Sequence, residues 1–503
     1  MGAYEQVQSH IAEVNDILNA VNLLTWDSRV CMPASGASAR ANQLATLTGE
    51  AHRRLLDEPF VELVRAAREE LGAHMTDLQR RTLDAIDEAI AYHSAVPPAL
   101  VTELALLKGR ANQAWLSARE ADDFESYAPV LEELVQLKRQ LARLTGDGRP
   151  LYDALLHEYE PGMTSERLLS LFAEIKGPIL DVISNAAAES EVRTDFLSRS
   201  FDIQAQKEFA LEVATKFGYR LENGRADTAP HPFEISLTPA DVRITTRYDR
   251  NNLPMSLFAM WHEAGHGMYE QGAATEHIRT AMSTDLIGLY AVAGTSYSMH
   301  EAQSRLWENF VSRSATFWDN HFPELQAKFP EQLHDVNAAE FYRAVNKVQA
   351  SPIRIQADEV SYHLHIMLRA ELEIALLEDE LTVTDLPGAW REKTRDYLGL
   401  ELDGDRLGVL QDIHWAAGLF GSFPTYTLGT LMAAQLFEAA VEQKPEIRSA
   451  LEHVDYVPLF DWLSENIYQH ARMYSSEELL LRTSGRPLEA APFLRYLAAK
   501  HSS

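Results

Sequence analysis

Apolar residues recur at steps of three and four from the start of the chain: Val7, Ile11, Val14, Ile17, Leu18 and Val21. That spacing places a single apolar stripe on a helix. After the break MPASGASA the same habit returns in RANQLATLTGEAHRRLL. It returns again in PFVELVRAAREELGAHMTDLQRRTLDAIDEAIAYHSAV, which reads as one run ending at Pro97 and Pro98. Further helices are predicted over about 99–118, 126–145, 165–190 and 203–217. One segment departs from this period. In HPFEISLTPADVRITTRYD, His231 to Asp249, Val242 and Ile244 alternate with Arg243 and Thr245, so a small sheet is predicted there. Helices resume to the C-terminus, interrupted at TVTDLPGAW and LELDGDRLGVLQD. With no internal repeat, no low-complexity linker and no shift in composition, the pattern predicts one large domain over 1–503, with room for two lobes.

Composition narrows the function classes. Of the 503 residues 46% are hydrophobic and 24% charged, which suits an ordinary globular core. Against 45 basic residues stand 74 acidic ones, a formal charge of −29, which argues against a nucleic-acid or anionic-membrane surface. A single cysteine, Cys31, rules out an intramolecular disulfide and fits a reducing compartment. The first residues carry no basic stretch followed by a long apolar one, and no apolar run is long enough for a membrane span. A cytoplasmic protein is expected.

The candidate chemistry lies in MWHEAGHGMYEQG, Met260 to Gly272. Asn251 or Asn252 can cap a helix here, Pro254 fits its first turn and Gly272 its end. His262 and His266 then share one face, about 6 Å apart along the axis. Both imidazoles can reach one tetrahedral ion, while Glu263 sits where a general base is needed. Chance would put such a motif in a chain of this composition roughly 0.1 times. Gly265 and Gly267 weaken a helix but permit close approach by another element.

A third ligand must come from elsewhere. The three-histidine extension would need Gly at 269 and His at 272, and the chain has Tyr269 and Gly272. The carboxylates Glu270, Glu276, Asp285, Glu301 and Glu308 remain as candidates. Glu270 follows His266 by one turn of the same helix, an awkward place to close a tetrahedron. Glu301, in SYSMHEAQSRLWENF, opens a new amphipathic helix, where it can equally pair with Arg305.

Several separated motifs now agree with one family. HPF (231–233), DVRIT (241–245), HEAGH (262–266), HEAQS (300–304), IRIQAD (353–358) and GVLQDIHW (408–415) stand in that family's order. The chain resembles the Taq-type thermostable metallocarboxypeptidases, the M32 peptidases, over essentially its whole length. The resemblance implies a mostly helical, two-lobed fold with a deep central groove and a small β-sheet beside it, similar to neurolysin and angiotensin-converting enzymes. It implies release of single residues from peptide C-termini and a homodimer. Carried over, it makes His262, His266 and Glu301 the ligands of Zn²⁺, with Co²⁺ as the alternative, and Glu263 the general base. The chain departs from the pattern at Ala302, where the fourth motif usually has serine, and in a longer segment between His266 and Glu301.

An exopeptidase must also hold a free carboxylate, and a guanidinium does so with two parallel bonds. Arg354 in IRIQAD is the candidate, with pairing to Asp358 as the structural alternative and Arg243 as a weaker choice. Tyr426, His231 and His414 are candidate substrate-binding groups, each with a buried structural role as its competitor. Asp412 and Asp358 are candidates to orient the ligand imidazoles. His363 and His365, two apart, and Trp26, Trp261 and Trp307 read as packing residues. Two other functions fit the same residues less well: an oligopeptidase or dipeptidyl carboxypeptidase on the same scaffold, and a non-catalytic peptide-binding protein.

Overall fold

The structure is a computed structural model that describes residues 2–188 and 192–501. It is mostly helical, with one three-stranded sheet and one two-stranded sheet among the described residues. The chain divides into two compact units, each assembled from three separate segments. The first comprises Met1–Ser94, Val192–Val345 and Met432–Leu488; the second comprises Ala95–Glu191, Asn346–Leu431 and Glu489–Ser503. Among the described residues no single helix is long and apolar enough to cross a membrane.

The periodicity found its helices. Ala3–Val30 buries Val7, Ile11, Val14 and Leu18. Pro98–Ala121, Phe124–Thr145, Ser165–Ala188 and Ile203–Phe217 match the four predicted next, with 189 and 190 of the third lying outside the described residues. The long run ending at Pro97 is a correction. It forms two helices, Glu58–Leu71 and Asp77–Ala95. Gly72, at φ +50, stops the first, because a left-handed residue ends the helical ladder. Thr76 and Gln79 then cap the second through reciprocal side-chain to backbone bonds of 2.9 and 3.2 Å.

In the first unit, strands β1 (Gly224–Thr228), β2 (Glu234–Thr238) and β3 (Asp241–Thr246) form a sheet in the order β1-β3-β2. β3 is the predicted strand and turns Val242 and Ile244 inward, both fully buried. β1 runs parallel to it and β2 antiparallel. A second pair, β4 (Thr284–Asp285) and β5 (Tyr290–Ala291), lies in the segment between the two metal-site motifs.

The helix that carries the histidine motif, Leu253–Gln271, is buried along nearly its whole length. Asn252 caps it by accepting from Met255 N at 3.3 Å, and Pro254 lies in its first turn, as the sequence suggests. Trp261 anchors it in an aromatic cluster with Phe209, Phe217, Phe317 and Trp318, donating Nε1–H to the Ala210 carbonyl at 3.1 Å. On the other side its two glycines do the work. A Cβ on Gly265 would lie 2.6 Å from Gln303 O and 2.7 Å from Ser304 Cα. A Cβ on Gly267 would lie 2.8 Å from the Tyr219 ring and 3.1 Å from Ile244 Cγ2 of β3. Bare glycines therefore let the backbone of helix Tyr297–Arg305, and the Tyr219 ring and Ile244 side chain, press against the motif helix.

The second unit packs Pro98–Ala121, Phe124–Thr145 and Ser165–Ala188 with Tyr362–Leu377, Leu386–Leu398 and Ala491–His501. Its most buried carboxyl, Glu373, accepts from Trp415 Nε1 at 2.9 Å, Gly421 N at 3.0 Å and Tyr152 Oη at 3.2 Å. His363 and His365 are almost fully buried in this unit, bonded to Thr427 and to the Ser351 carbonyl, which makes them packing residues.

Candidate metal centre

The close contact at Gly265 brings Glu301 over the two histidines. Glu301 Oε2 lies 3.5 Å from His262 Nε2 and 3.5 Å from His266 Nε2. One donor atom from each of the three residues falls within 4.8 Å of the others. A tetrahedral ion with bonds near 2.05 Å separates its ligands by ~3.4 Å, so the oxygen stands at the right spacing from each nitrogen. Two imidazoles and a carboxylate are also the borderline donor set that Zn²⁺ and Co²⁺ accept. The donors fit such an ion.

Each donor is held by something behind it. Arg305 Nε donates to Glu301 Oε1 at 2.7 Å, so the expected helical ion pair forms with one oxygen while the other faces the histidines. Glu308 Oε2 accepts from His262 Nδ1 at 2.8 Å and from Arg305 Nη1 at 3.2 Å. Beyond Arg305 the helix widens over Leu306–Val311, where Ser312 N reaches back five residues to Trp307 O at 3.0 Å. His266 Nδ1 lies 2.6 Å from His300 Nδ1, and His300 Nε2 lies 3.1 Å from Glu270 Oε1. Glu270, an alternative third ligand in the sequence, faces away from the donor cluster.

Charge and burial act strongly here. Burial works against an imidazolium at His262, but Glu301 and Glu308 override it and hold its affinity for a proton up, at about 10. His266, buried beside His300 and His262, is pushed down to about 3. Burial raises Glu263 to about 7, with His262 opposing. Among the described residues no hydrogen bond or ion pair engages the Glu263 carboxylate, although the residue is only 6% exposed.

The second unit gathers the other candidates. Arg354 donates Nε to Asp412 Oδ1 at 2.9 Å and Nη1 to Tyr362 Oη at 3.1 Å. Arg369, fully buried, donates Nε to the other oxygen of Asp412 at 2.7 Å. His414 Nε2 lies 3.1 Å from Tyr426 Oη and stacks on Phe423, and the Arg354 guanidinium sits 5.4 Å from the Tyr426 ring centre. Arg354, Tyr426 and His414 thus lie together, with Asp412 held by Arg354 and Arg369. His231 belongs to the first unit and is exposed, at the approach to β2. Arg243 pairs with Asp241 and covers the Trp26 ring.

Two expectations are corrected. Asp358 does not pair with Arg354; it accepts from Gln349 N, Val360 N, Ser361 N and Ser361 Oγ, tying a loop together. Asp412 orients arginines, not ligand imidazoles, which are held by Glu308 and by His300. The sequence carried a signal for Glu308, which follows Glu301 by two helical turns, and for Glu270, which follows His266 by four residues and stands behind His300.

Two histidines on a buried helix, closed by a carboxylate from the next helix and flanked by an unengaged glutamate, could hold a metal ion in the pattern expected of a metal-dependent peptidase. The comparisons with known proteins carry this further. The family model for carboxypeptidase Taq (M32) metallopeptidase matches residues 6–501. Thermostable carboxypeptidase 1 of Thermus thermophilus is 38% identical, with all of this chain and 98% of the relative covered. Carboxypeptidase 1 of Bacillus subtilis is 34% identical over 98% of this chain and 97% of its own. The crystal structure of the M32 carboxypeptidase from Deinococcus radiodurans superposes with a TM-score of 0.95 at 36% identity, over 99% of both chains. The chain belongs to the carboxypeptidase Taq (M32) metallopeptidase family.

Proposed function

We propose that this metallocarboxypeptidase releases single residues from peptide C-termini, using a Zn²⁺ ion held by His262, His266 and Glu301 and Glu263 as general base. The observation that carries the reading is the approach of Glu301 Oε2 to both Nε2 atoms at 3.5 Å, with the Glu263 carboxylate left unengaged beside them. A divalent ion in this place supplies Lewis-acid polarisation of the scissile carbonyl and acidifies water. Glu263 takes the proton from the attacking water on a carboxylate oxygen and passes it to the leaving amine nitrogen. Glu308 and Arg305 keep His262 and Glu301 in place while the proton moves.

Arg354 holds the substrate's terminal carboxylate in this reading. Arg354 and Arg369 share one carboxylate, Asp412, so the trio carries one net positive charge in a buried setting. A second carboxylate there offsets that excess charge. Tyr426 and His414 supply neighbouring hydrogen-bonding groups, and His231 is an exposed candidate substrate-binding group of the first unit. Burial and the two arginines push His414 down to about 3, so it acts as a neutral imidazole.

The same reading takes 1–503 as one functional domain, since each compact unit is built from three interleaved segments. It takes peptides as substrates and a homodimer as the assembly. It places the enzyme in the cytoplasm, on the strength of its single cysteine, and without nucleic-acid or membrane partners, on the strength of the acidic balance. Mass-spectrometric mapping of products from an unblocked peptide tests it, with and without a chelator. A ladder of single-residue losses that the chelator abolishes is expected; internal cuts, or release of dipeptides only, would sink the exopeptidase assignment.

A further inference from the structure

We infer that Glu270 and His300 form a positioning pair for His266, built on the segment that separates the two metal-site motifs. This rests on the metal centre proposed above and adds to it residues that do not touch the ion. His266 has two ring nitrogens with different duties. Nε2 faces Glu301 at 3.5 Å, and Nδ1 lies 2.6 Å from His300 Nδ1. A ligand imidazole needs a free lone pair on Nε2, so its proton must sit on Nδ1 and be accepted by His300. His300 can accept there while carrying its own proton on Nε2, which then needs an acceptor. Glu270 Oε1 is that acceptor, at 3.1 Å. The chain of bonds thus runs from Glu270 through His300 to His266 in one proton order.

Glu270 is itself fixed. It is 2% exposed and accepts from Ala293 N at 2.9 Å, Gly294 N at 2.7 Å and Ser236 Oγ of β2 at 2.7 Å. Those donors hold it as an acceptor, which is what the order requires. The two amides belong to the far end of the segment between His266 and Glu301. That end is pinned in turn, since Arg472 Nη1 donates to Gly294 O at 2.6 Å and Thr295 N to Tyr269 Oη at 3.2 Å. A Cβ on Gly294 would fall on His300 Cδ2, and 3.1 Å from the Tyr269 ring. Glycine there makes the space in which His300 lies. The segment therefore reaches the metal centre through its backbone, without providing a ligand.

The test uses the full-length protein, stripped of metal and reloaded with Zn²⁺ or Co²⁺. His300→Phe keeps a ring and removes both nitrogens; His300→Asn restores an acceptor near the Nδ1 position; Gly294→Ala displaces His300 without altering any bonded group. Chelator competition gives the Zn²⁺ dissociation constant, visible absorption reports Co²⁺ geometry, and melting of the metal-free protein reports folding. We expect His300→Phe to weaken Zn²⁺ binding by about 10- to 100-fold and to shift the Co²⁺ bands. His300→Asn should recover part of the loss, and Gly294→Ala should weaken binding in the same direction. Unchanged Zn²⁺ affinity and Co²⁺ bands in both His300→Phe and Gly294→Ala overturn the pairing, even if the metal-free protein melts lower. Wild-type protein that holds no stoichiometric Zn²⁺ removes the metal centre itself, whereas tight wild-type binding with unmoved variants removes only the positioning pair.

Discussion

Arg305 and Glu301 stand one helical turn apart, and the 2.7 Å bond from Arg305 Nε to Glu301 Oε1 leaves Oε2 pointing at both histidines. The guanidinium also reaches Glu308, which holds His262. One arginine thus sets the orientation of a candidate ligand and of the group behind another. Arg305→Leu would leave two buried carboxylates short of a positive partner, a loss of about 3–5 kcal/mol for a buried pair. Urea unfolding of the metal-free protein checks it; a loss below ~1 kcal/mol would rule out Arg305 as a clamp.

Glu263→Gln keeps the shape of the side chain and removes its ability to take a proton. Metal content by elemental analysis should stay at the wild-type level, while kcat falls by about 10²- to 10⁴-fold. Retained turnover would exclude Glu263 as the base.

Gly265→Ala tests how closely the two helices that carry the candidate ligands must meet. The new methyl would lie 2.6 Å from the Gln303 carbonyl oxygen and must push the helices apart. Glu301 then leaves its place over the histidines. Weaker Zn²⁺ binding is expected, with a stability cost of about 1–3 kcal/mol for overpacking, both read from melting with and without Zn²⁺. Full affinity at unchanged stability would show that the contact has slack.

Arg354→Lys keeps a charge but loses the planar fork. A KM at least about tenfold higher for free-acid peptides is expected, while amidated peptides stay poor substrates for both proteins. Equal cleavage of free and amidated peptides by the wild type would take the terminal-carboxylate role from Arg354.

Acid should destabilise the second unit through neutral buried histidines. Burial pushes His365 and His414 down to about 3, from 6.5 in the unfolded chain. Above pH ~6.5 both states are neutral and nothing is lost. As pH falls from 6.5 toward 3, the unfolded chain takes up protons that the fold refuses, so stability falls. The slope approaches about 1.4 kcal/mol per pH unit for each group. Denaturant midpoints between pH 7 and 4 should show this, and His365→Phe should flatten it. A wild-type midpoint constant over that range would contradict the assignment.

The helices were legible because each buries one stripe. The split at Gly72 was not, since its apolar stripe continues on both sides of the left-handed residue. β1 was hidden for a different reason: Gly-Arg-Ala-Asp-Thr has no alternation of its own and is a strand only because β3 pairs with it. At the site, His262, Glu263 and His266 were legible as a local pattern, and Glu301 through the family resemblance. His300 as a partner of His266 was not, because the contact spans 34 positions and depends on bare backbone at Gly294. Arg369 escaped notice as well, sitting within a helix that reads as core.

The wall behind the motif helix has a further consequence, for the order in which the protein can be finished. Every candidate metal donor is translated by residue 301. Yet Gly272, which ends the motif helix, lies against Tyr468, Ala274 N bonds to Gln469 O at 3.3 Å, and Trp307 Nε1 bonds to Tyr468 Oη at 3.4 Å. Arg472, which pins the backbone beside Glu270, comes later still. A nascent chain therefore carries its candidate donors, with Arg305 and Glu308 behind them, about 170 residues before the segment that packs on Gly272 and bonds Gly294. A ribosome-stalled chain ending near residue 440 should bind Zn²⁺ far more loosely than the released protein.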